Sequence, residues 1–81
     1  MVTTIIKDIE VSKDNEYAYV YFDYFDKIKY AKVSNSHMNN LLKNSDNKII
    51  EKGLSIQVNR IIVEGYKDKK PLEMYRISKI L

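Results

Sequence analysis

The run from Glu16 to Phe25 restricts the fold of this sequence more than any other segment. Tyrosine, valine and phenylalanine dominate it, and aromatic and β-branched residues suit a pleated, half-buried strand. Because alternate residues of a strand point to opposite faces, the run has two distinct faces. One carries Tyr17, Tyr19 and Tyr21, and the other carries Ala18, Val20, Phe22 and Tyr24. The second set is smaller and more apolar, so we expect it to face the core.

Four other segments also have the composition of strands, and turns or polar residues separate them. Thr3–Val11 carries apolar residues of both parities, which predicts a strand that bends or is covered on both faces. In Leu54–Glu64 the apolar parity changes at Asn59-Arg60, which predicts a bulge or a bend there. The other two are Lys27–Val33, after a tight turn that begins at Phe25-Asp26, and Leu72–Leu81, with Tyr75 and Ile77 pointing inward.

A short helix is expected between the third and fourth strands, over Ser36–Asn44. Ser34-Asn35-Ser36 supplies residue types that cap helix N-termini. Met38, Leu41 and Leu42 then follow at the i, i+3, i+4 spacing of one helical stripe. The element order is therefore β-β-β-α-β-β. We expect an all-β small barrel with one short α-helix, in a single domain of residues 1–81.

Composition limits where such a domain can work. The chain has 81 residues and no cysteine, whereas small secreted domains usually depend on disulfides. No apolar run is long enough to span a membrane, and Met1–Thr4 lacks the basic and apolar regions of a signal peptide. We therefore expect a cytoplasmic protein with no membrane association. The abundance of Ile, Lys, Asn and Tyr suggests an AT-rich genome, such as that of a phage, virus or mobile element. If the protein is viral, we expect it in the cytoplasm of the host.

A resemblance to a known family rests mainly on the C-terminal half. Three successive segments resemble the end of a single-stranded DNA-binding protein of the OB-fold class: Lys52–Val58, Val63–Gly65 and Tyr75–Ile80. In that family a K-G-x-x-V-x-V-x-G strand precedes a basic loop and a final strand. Here the second glycine comes late, at Gly65, which leaves the register of the fourth strand open. The resemblance implies an OB-like barrel that binds single-stranded DNA or RNA with little sequence preference.

The same resemblance assigns a binding surface, because the second and third strands form the centre of the ligand-binding face in an OB-fold. Three tyrosines that point outward there would make a platform on which bases stack. Lysines of the third strand and of the loop between the fourth and fifth strands would hold phosphates. The predicted nucleic-acid-binding residues are Tyr17, Tyr19, Tyr21, Lys27, Lys29, Tyr66, Lys67, Lys69 and Lys70.

The distribution of charge leaves the partner open. Residues 1–26 carry two basic and six acidic side chains, whereas residues 27–81 carry twelve basic and five acidic ones. A chain divided in this way can present one basic face to a polyanion. Glu16 and Asp23, at the ends of the second strand, would instead repel phosphates. The tyrosine face could also be a homodimer or protein-interaction surface, where tyrosine is enriched, or it could serve packing alone.

This sequence contains few residues suited to catalysis. His37 is the only histidine, and its place at a helix start favours a capping or surface role. Two glycines are too few for a phosphate-binding loop. The carboxylate pairs Asp8/Glu10 and Asp23/Asp26 are best interpreted as solvated surface. We therefore expect a binding protein and not an enzyme, with no metal and no cofactor.

Overall fold

A computed structural model describes residues 1–46, 49–65 and 69–81. Five strands and one helix follow in the order β-β-β-α-β-β, as the sequence predicts. The elements are β1 (Val2–Val11), β2 (Tyr17–Tyr24), β3 (Lys27–Ser34), α1 (Asn35–Lys43), β4 (Ser55–Val63) and β5 (Leu72–Ile80). The protein is thus mostly antiparallel β-sheet with one short helix.

The five strands form one sheet in the order β3-β2-β1-β4-β5, and all four neighbouring pairs are antiparallel. β3 and β5 are the two edges, and side chains connect them where Lys29 of β3 meets Glu73 of β5, Nζ to Oε1, at 3.7 Å. Among the described residues no backbone ladder joins these edges, so the sheet curls without closing. The small barrel expected from the sequence is therefore realised only in part.

The core lies inside the curl of the sheet. It combines the inner face of β2 with residues of every other element: Ile6, Ala18, Val20, Phe22, Ala31, Val33, Leu41, Ile56, Val58, Ile77 and Ile80. The described core contains no buried polar residue. The prediction that Ala18, Val20 and Phe22 face the core is confirmed, and Tyr24 packs against it partly buried. Burial of this one apolar set is what holds the sheet in its curled form.

β1 bends as its mixed parity predicts. Its pairing with β2 shifts register between Ile6 and Asp8, so Lys7 is an extra residue in the ladder. Such a bulge moves the inward-facing positions by one. Ile6 is therefore buried before the bulge while Ile5 is exposed, and Ile9 packs against the core after it.

The prediction of a bulge or bend at Asn59-Arg60 of β4 is wrong. β4 pairs with β5 without interruption from Val58 to Val63, and the register shift lies earlier, between Gln57 and Val58. The apolar parity changes because the strand leaves the core there, so that inward and outward positions are both exposed from Arg60 onward. Asn59–Val63 and Leu72–Arg76 thus form a two-stranded ribbon, here called the β4–β5 arm, which touches the core through Tyr75.

The helix begins one residue earlier than the sequence predicts. Ser34 is its N-cap, with its Oγ accepting a hydrogen bond from the His37 backbone amide at 3.2 Å. Leu41 is buried in the core, with Met38 and Leu42 packed beside it, so the predicted stripe is confirmed. The His37 Nε2 lies 2.7 Å from the Ile77 carbonyl oxygen and links α1 to β5. No helix in the described part of the chain has the length and apolarity needed to cross a membrane.

Candidate nucleic-acid interface

The three predicted tyrosines lie side by side on the outer face of β2. Tyr17, Tyr19 and Tyr21 are each half-buried, although no other element of the described structure covers this face. Their partial burial comes from neighbouring rings: Tyr17 and Tyr19 meet edge-to-face with centroids 5.4 Å apart. Edge-to-face pairs are a favourable arrangement of aromatic quadrupoles. The stripe is therefore an ordered aromatic surface that remains accessible to solvent.

A fourth tyrosine, absent from the sequence prediction, completes this surface. Tyr30 of β3 pairs across the ladder with Tyr21, and its ring centroid is 5.5 Å from that of Tyr19 and 5.9 Å from that of Tyr21. Its side chain is 53 % exposed. We call Tyr17, Tyr19, Tyr21 and Tyr30 the tyrosine cluster.

The register of the β2–β3 hairpin would have revealed this partner. Phe25 and Asp26 form a two-residue turn with positive φ at both positions, which is the geometry of a type I′ hairpin. Such a turn pairs Tyr24 with Lys27, and counting back along both strands then places Tyr30 beside the stripe. From the sequence we predict the tight turn but not the strand register that follows from it.

The same register brings a lysine onto the cluster. Lys32 pairs with Tyr19, and its Nζ lies 4.0 Å from the ring centroid of Tyr17. At this distance the ammonium interacts with the electron-rich face of the ring. Lys32 is exposed, so the β3 side of the tyrosine cluster carries an accessible positive charge.

The opposite side of the cluster is acidic. Asp8 and Glu10 of β1 pair with Tyr21 and Tyr19, and the Tyr21 hydroxyl donates to Glu10 Oε2 at 3.2 Å. Partial burial, together with this hydrogen bond, raises the pKa of Tyr21. The Ile9 backbone amide and then Lys52 lower the pKa of Asp8, which keeps its carboxylate charged. The acidic border therefore disfavours phosphates on the β1 side of the tyrosine cluster.

A groove borders the cluster on that β3 side. It has a volume of about 380 Å³, and residues of β2, β3 and β5 line it: Tyr19, Tyr30, Lys32, Leu72, Glu73, Met74 and Tyr75. A second depression of about 440 Å³ continues from it, with Tyr17, Lys32 and Arg76 among its lining residues. We call the two together the β3–β5 groove. It offers aromatic and apolar walls with two cationic side chains, Lys32 and Arg76, and two acidic ones, Glu16 and Glu73.

Lys27 and Lys29 lie on the other face of the hairpin. They share the parity of Ala31 and Val33, which are buried in the core, so they do not stand beside the tyrosine cluster. The sequence prediction assigned them to the binding surface because they lie on the neighbouring strand, although the pairing register sets which face a residue occupies. Lys29 also forms an ion pair with Glu73. Their binding of nucleic acid stays a prediction, without support from this placement.

The predicted loop residues are only partly described. Lys69 and Lys70 are exposed and precede β5. Tyr66 and Lys67 lie outside the described residues. The loop thus adds two accessible cations at the tip of the β4–β5 arm.

Glu73 is the centre of a polar cluster on the inner face of the arm. It accepts hydrogen bonds from the Tyr75 hydroxyl and from Arg60 Nη2, the latter at 2.7 Å, in addition to its ion pair with Lys29. The Tyr75 and then the Arg60 hydrogen bond lower the pKa of Glu73 to about 2. Partial burial and the Glu73 carboxylate raise the pKa of Tyr75 to about 12. Of these contacts, the Lys29–Glu73 ion pair joins edge β3 to edge β5, and the other two lie within the β4–β5 arm.

Within the described residues, no three histidine, cysteine, aspartate or glutamate side chains lie close enough together to hold a metal ion. The helix is capped by the Ser34 side chain, and the partly buried His37 ring bonds to the Ile77 carbonyl oxygen, so this histidine links α1 to β5 and neither caps the helix nor lies free on the surface. Comparison with protein-family models, with curated proteins and with solved structures gives no match to this chain. A function must therefore be argued from the tyrosine cluster and its surroundings.

Proposed function

We propose that this chain is an OB-type domain that binds single-stranded DNA or RNA with little sequence preference, through the tyrosine cluster and the β3–β5 groove. The strand order β3-β2-β1-β4-β5, with the helix between β3 and β4, supports an OB-type assignment. OB-folds are five-stranded, partly open Greek-key barrels that bind oligonucleotides on the face of strands 2 and 3. The tyrosine cluster lies on the outer face of the corresponding strands.

The observation that carries the proposal is the combination of four tyrosine rings with Lys32 on one uncovered face. Stacking of a base on an aromatic side chain contributes roughly 1–3 kcal/mol and is tolerant of sequence, because every base has a π-face. Tyr30, with its larger exposed area, would be the first ring that a base contacts. Lys32 lies between the cluster and the groove, where the phosphates of a stacked strand would pass.

The protein would act by binding and not by catalysis. The acidic side chains Asp8 and Glu10 restrict the strand to the β3 side of the cluster. Phosphates would then lie near Lys32 and Arg76, with Lys69 and Lys70 further along the arm. Each phosphate contact releases counterions, so the affinity would fall as salt rises. Duplex DNA hides its base faces, and therefore binds more weakly to a stacking surface.

Fluorescence anisotropy of a labelled mixed-sequence oligonucleotide, single-stranded or duplex, at low and high salt tests the proposal. We expect micromolar or tighter binding of the single strand, weaker binding of the duplex and a loss of affinity with salt. Replacing both Tyr19 and Tyr21 by alanine should weaken binding without unfolding the chain. Phe25→Ala is the matched control, because Phe25 is a 74 % exposed aromatic outside the cluster. Absence of binding at low salt would contradict the proposal.

A second candidate function uses the same face for a protein partner or a second copy. The hydrogen bond from Tyr21 to Glu10 favours it, since an acidic border suits a basic protein surface as well as it disfavours phosphate. Tyrosine is also enriched in protein–protein interfaces. Under this alternative, the purified chain would not bind the oligonucleotide. Tyr19→Ala would lower the apparent mass if the partner is a second copy, or abolish capture of the partner if it is another protein.

A further inference from the structure

One stretch of β4 has an unpaired backbone edge. β1 pairs with β4 only from Ser55, opposite Ile5, to Val58, opposite Val2. Beyond Val58, Asn59–Val63 pairs with β5 on one side, and no strand of the described residues lies on the other. Exposed backbone amides and carbonyls on a strand edge are a template for pairing with another strand.

This edge lacks the side chains that usually prevent such pairing. Natural edge strands are blunted by lysines, prolines, bulges or short length. Edge β3 follows the rule, with Lys27, Lys29 and Lys32 among its eight residues. The exposed end of β4 instead reads Ile61-Ile62-Val63, and all three are at least 40 % exposed. The neighbouring Arg60 is already engaged by Glu73 at 2.7 Å.

We propose that a second copy of this chain pairs with this edge, antiparallel and about a two-fold axis, to form a continuous β5-β4-β4-β5 ribbon. The amides and carbonyls of a strand edge can pair with those of an identical edge that runs antiparallel to it. A two-fold dimer can therefore use the same edge of both copies. In a register centred on Ile62, Arg60 of each copy, which is paired with Glu73, lies opposite Glu64 of the other copy, so no like charges face each other across the axis. The same operation on edge β3 would bring three lysines against three lysines.

The outer face of the arm gives a second reason for this partner. Ile61 faces Met74 across the ladder, and Val63 faces Leu72, so four exposed apolar side chains form one patch. Two strands by themselves bury little apolar surface, whereas three or more strands with a common apolar face form a stable sheet. Pairing two arms makes four strands and joins the two patches into one apolar face.

Sedimentation equilibrium of the nucleic-acid-free chain, from the micromolar to the near-millimolar range, tests the proposal. We expect the mass to rise from one chain to two with concentration. Ile62→Lys should abolish this rise, because Ile62 is 54 % exposed and a charge at the axis repels its copy. Ile28→Lys is the matched control on edge β3, where Ile28 is 66 % exposed, and it should leave the dimer intact. A chain that stays monomeric throughout, or a dimer that Ile62→Lys leaves unchanged, would overturn the proposal.

Cysteine cross-linking tests the geometry with an independent readout. The chain has no cysteine, so Ile62→Cys introduces a single thiol. Directly opposite residues of an antiparallel pair have Cα atoms about 4.5–5.5 Å apart, within the range of a disulfide. Oxidation of Ile62→Cys should give a covalent dimer. Ile61→Cys, which lies opposite Val63 of the other copy in this register, and Ile28→Cys should not. Equal cross-linking at all three positions, or none, would contradict a dimer built on the β4 edge.

Discussion

The two faces of the β2–β3 hairpin are built from alternate residues of one segment of the chain, and they have opposite properties. Away from the turn, the inner face consists of small or apolar side chains that are almost completely buried, as with Phe22 at 0 % exposure, whereas Tyr24, Lys27 and Lys29 near the turn are in contact with solvent. The outer face carries the tyrosine cluster and Lys32, all of them in contact with solvent. Pairs of aromatic side chains on neighbouring strands contribute roughly 0.2–1 kcal/mol each to a sheet, so the tyrosine cluster also serves folding. The binding that we propose for this face must therefore be tested separately from its effect on stability.

The largest expected effect comes from the inner face. Phe22→Ala should lower the free energy of unfolding by roughly 3–5 kcal/mol, because it removes a fully buried ring and leaves a cavity. Urea denaturation followed by circular dichroism measures this loss. In a domain of this size the variant is expected to be largely unfolded. A loss below about 1 kcal/mol would show that the inner face is not the folding core, and the comparison would fail.

On the outer face, Tyr30→Ala should reduce binding and leave folding almost unchanged. Loss of one stacking ring is expected to cost roughly 1–3 kcal/mol of binding free energy for single-stranded oligonucleotide. Tyr30→Phe keeps the ring and is the control, with near-normal affinity. Anisotropy titrations and urea melts on the same samples separate the two effects. Equal losses of stability and affinity would make Tyr30 a packing residue.

A smaller effect is expected at Lys32. Lys32→Gln should lower affinity modestly and reduce the slope of log affinity against log salt by about 0.7, the value for one phosphate contact on a single strand. Lys43→Gln, at the exposed end of the helix, is the matched control and should not alter the slope. An unchanged slope in Lys32→Gln would place the phosphates elsewhere.

The smallest effect concerns the polar cluster that joins the two edges. The pKa of Glu73 is about 2, below its ordinary value of 4.5. Its ionised form therefore stabilises the fold fully above pH 4.5, and this contribution is lost as the pH falls towards 2. Glu73→Gln should lower the melting temperature slightly at neutral pH and converge with the unmodified chain near pH 2. A difference that persists unchanged at low pH would argue against this carboxylate as the cause.

The sequence predicted the number, order and type of elements because alternation, helix capping and turn residues are local signals. The tyrosine stripe and the inward set of β2 followed from the same alternation, as did the bend in β1 from its mixed parity. Pairing is not local: Tyr30 and Lys32 join the stripe only through the hairpin register, and Lys27 and Lys29 leave it for the same reason. The arm was missed because exposed Ile61 and Val63 look like core residues in sequence.

The central claim is that a single-stranded oligonucleotide occupies the outer face of β2 and β3. Titration of the isotope-labelled chain with such an oligonucleotide, followed by two-dimensional amide NMR, locates the contact residue by residue. The account predicts shifts concentrated at Tyr19, Tyr30 and Lys32, and extending to Arg76 across the β3–β5 groove. Shifts confined to the β4 edge or to the helix, or no shifts at low salt, would contradict it.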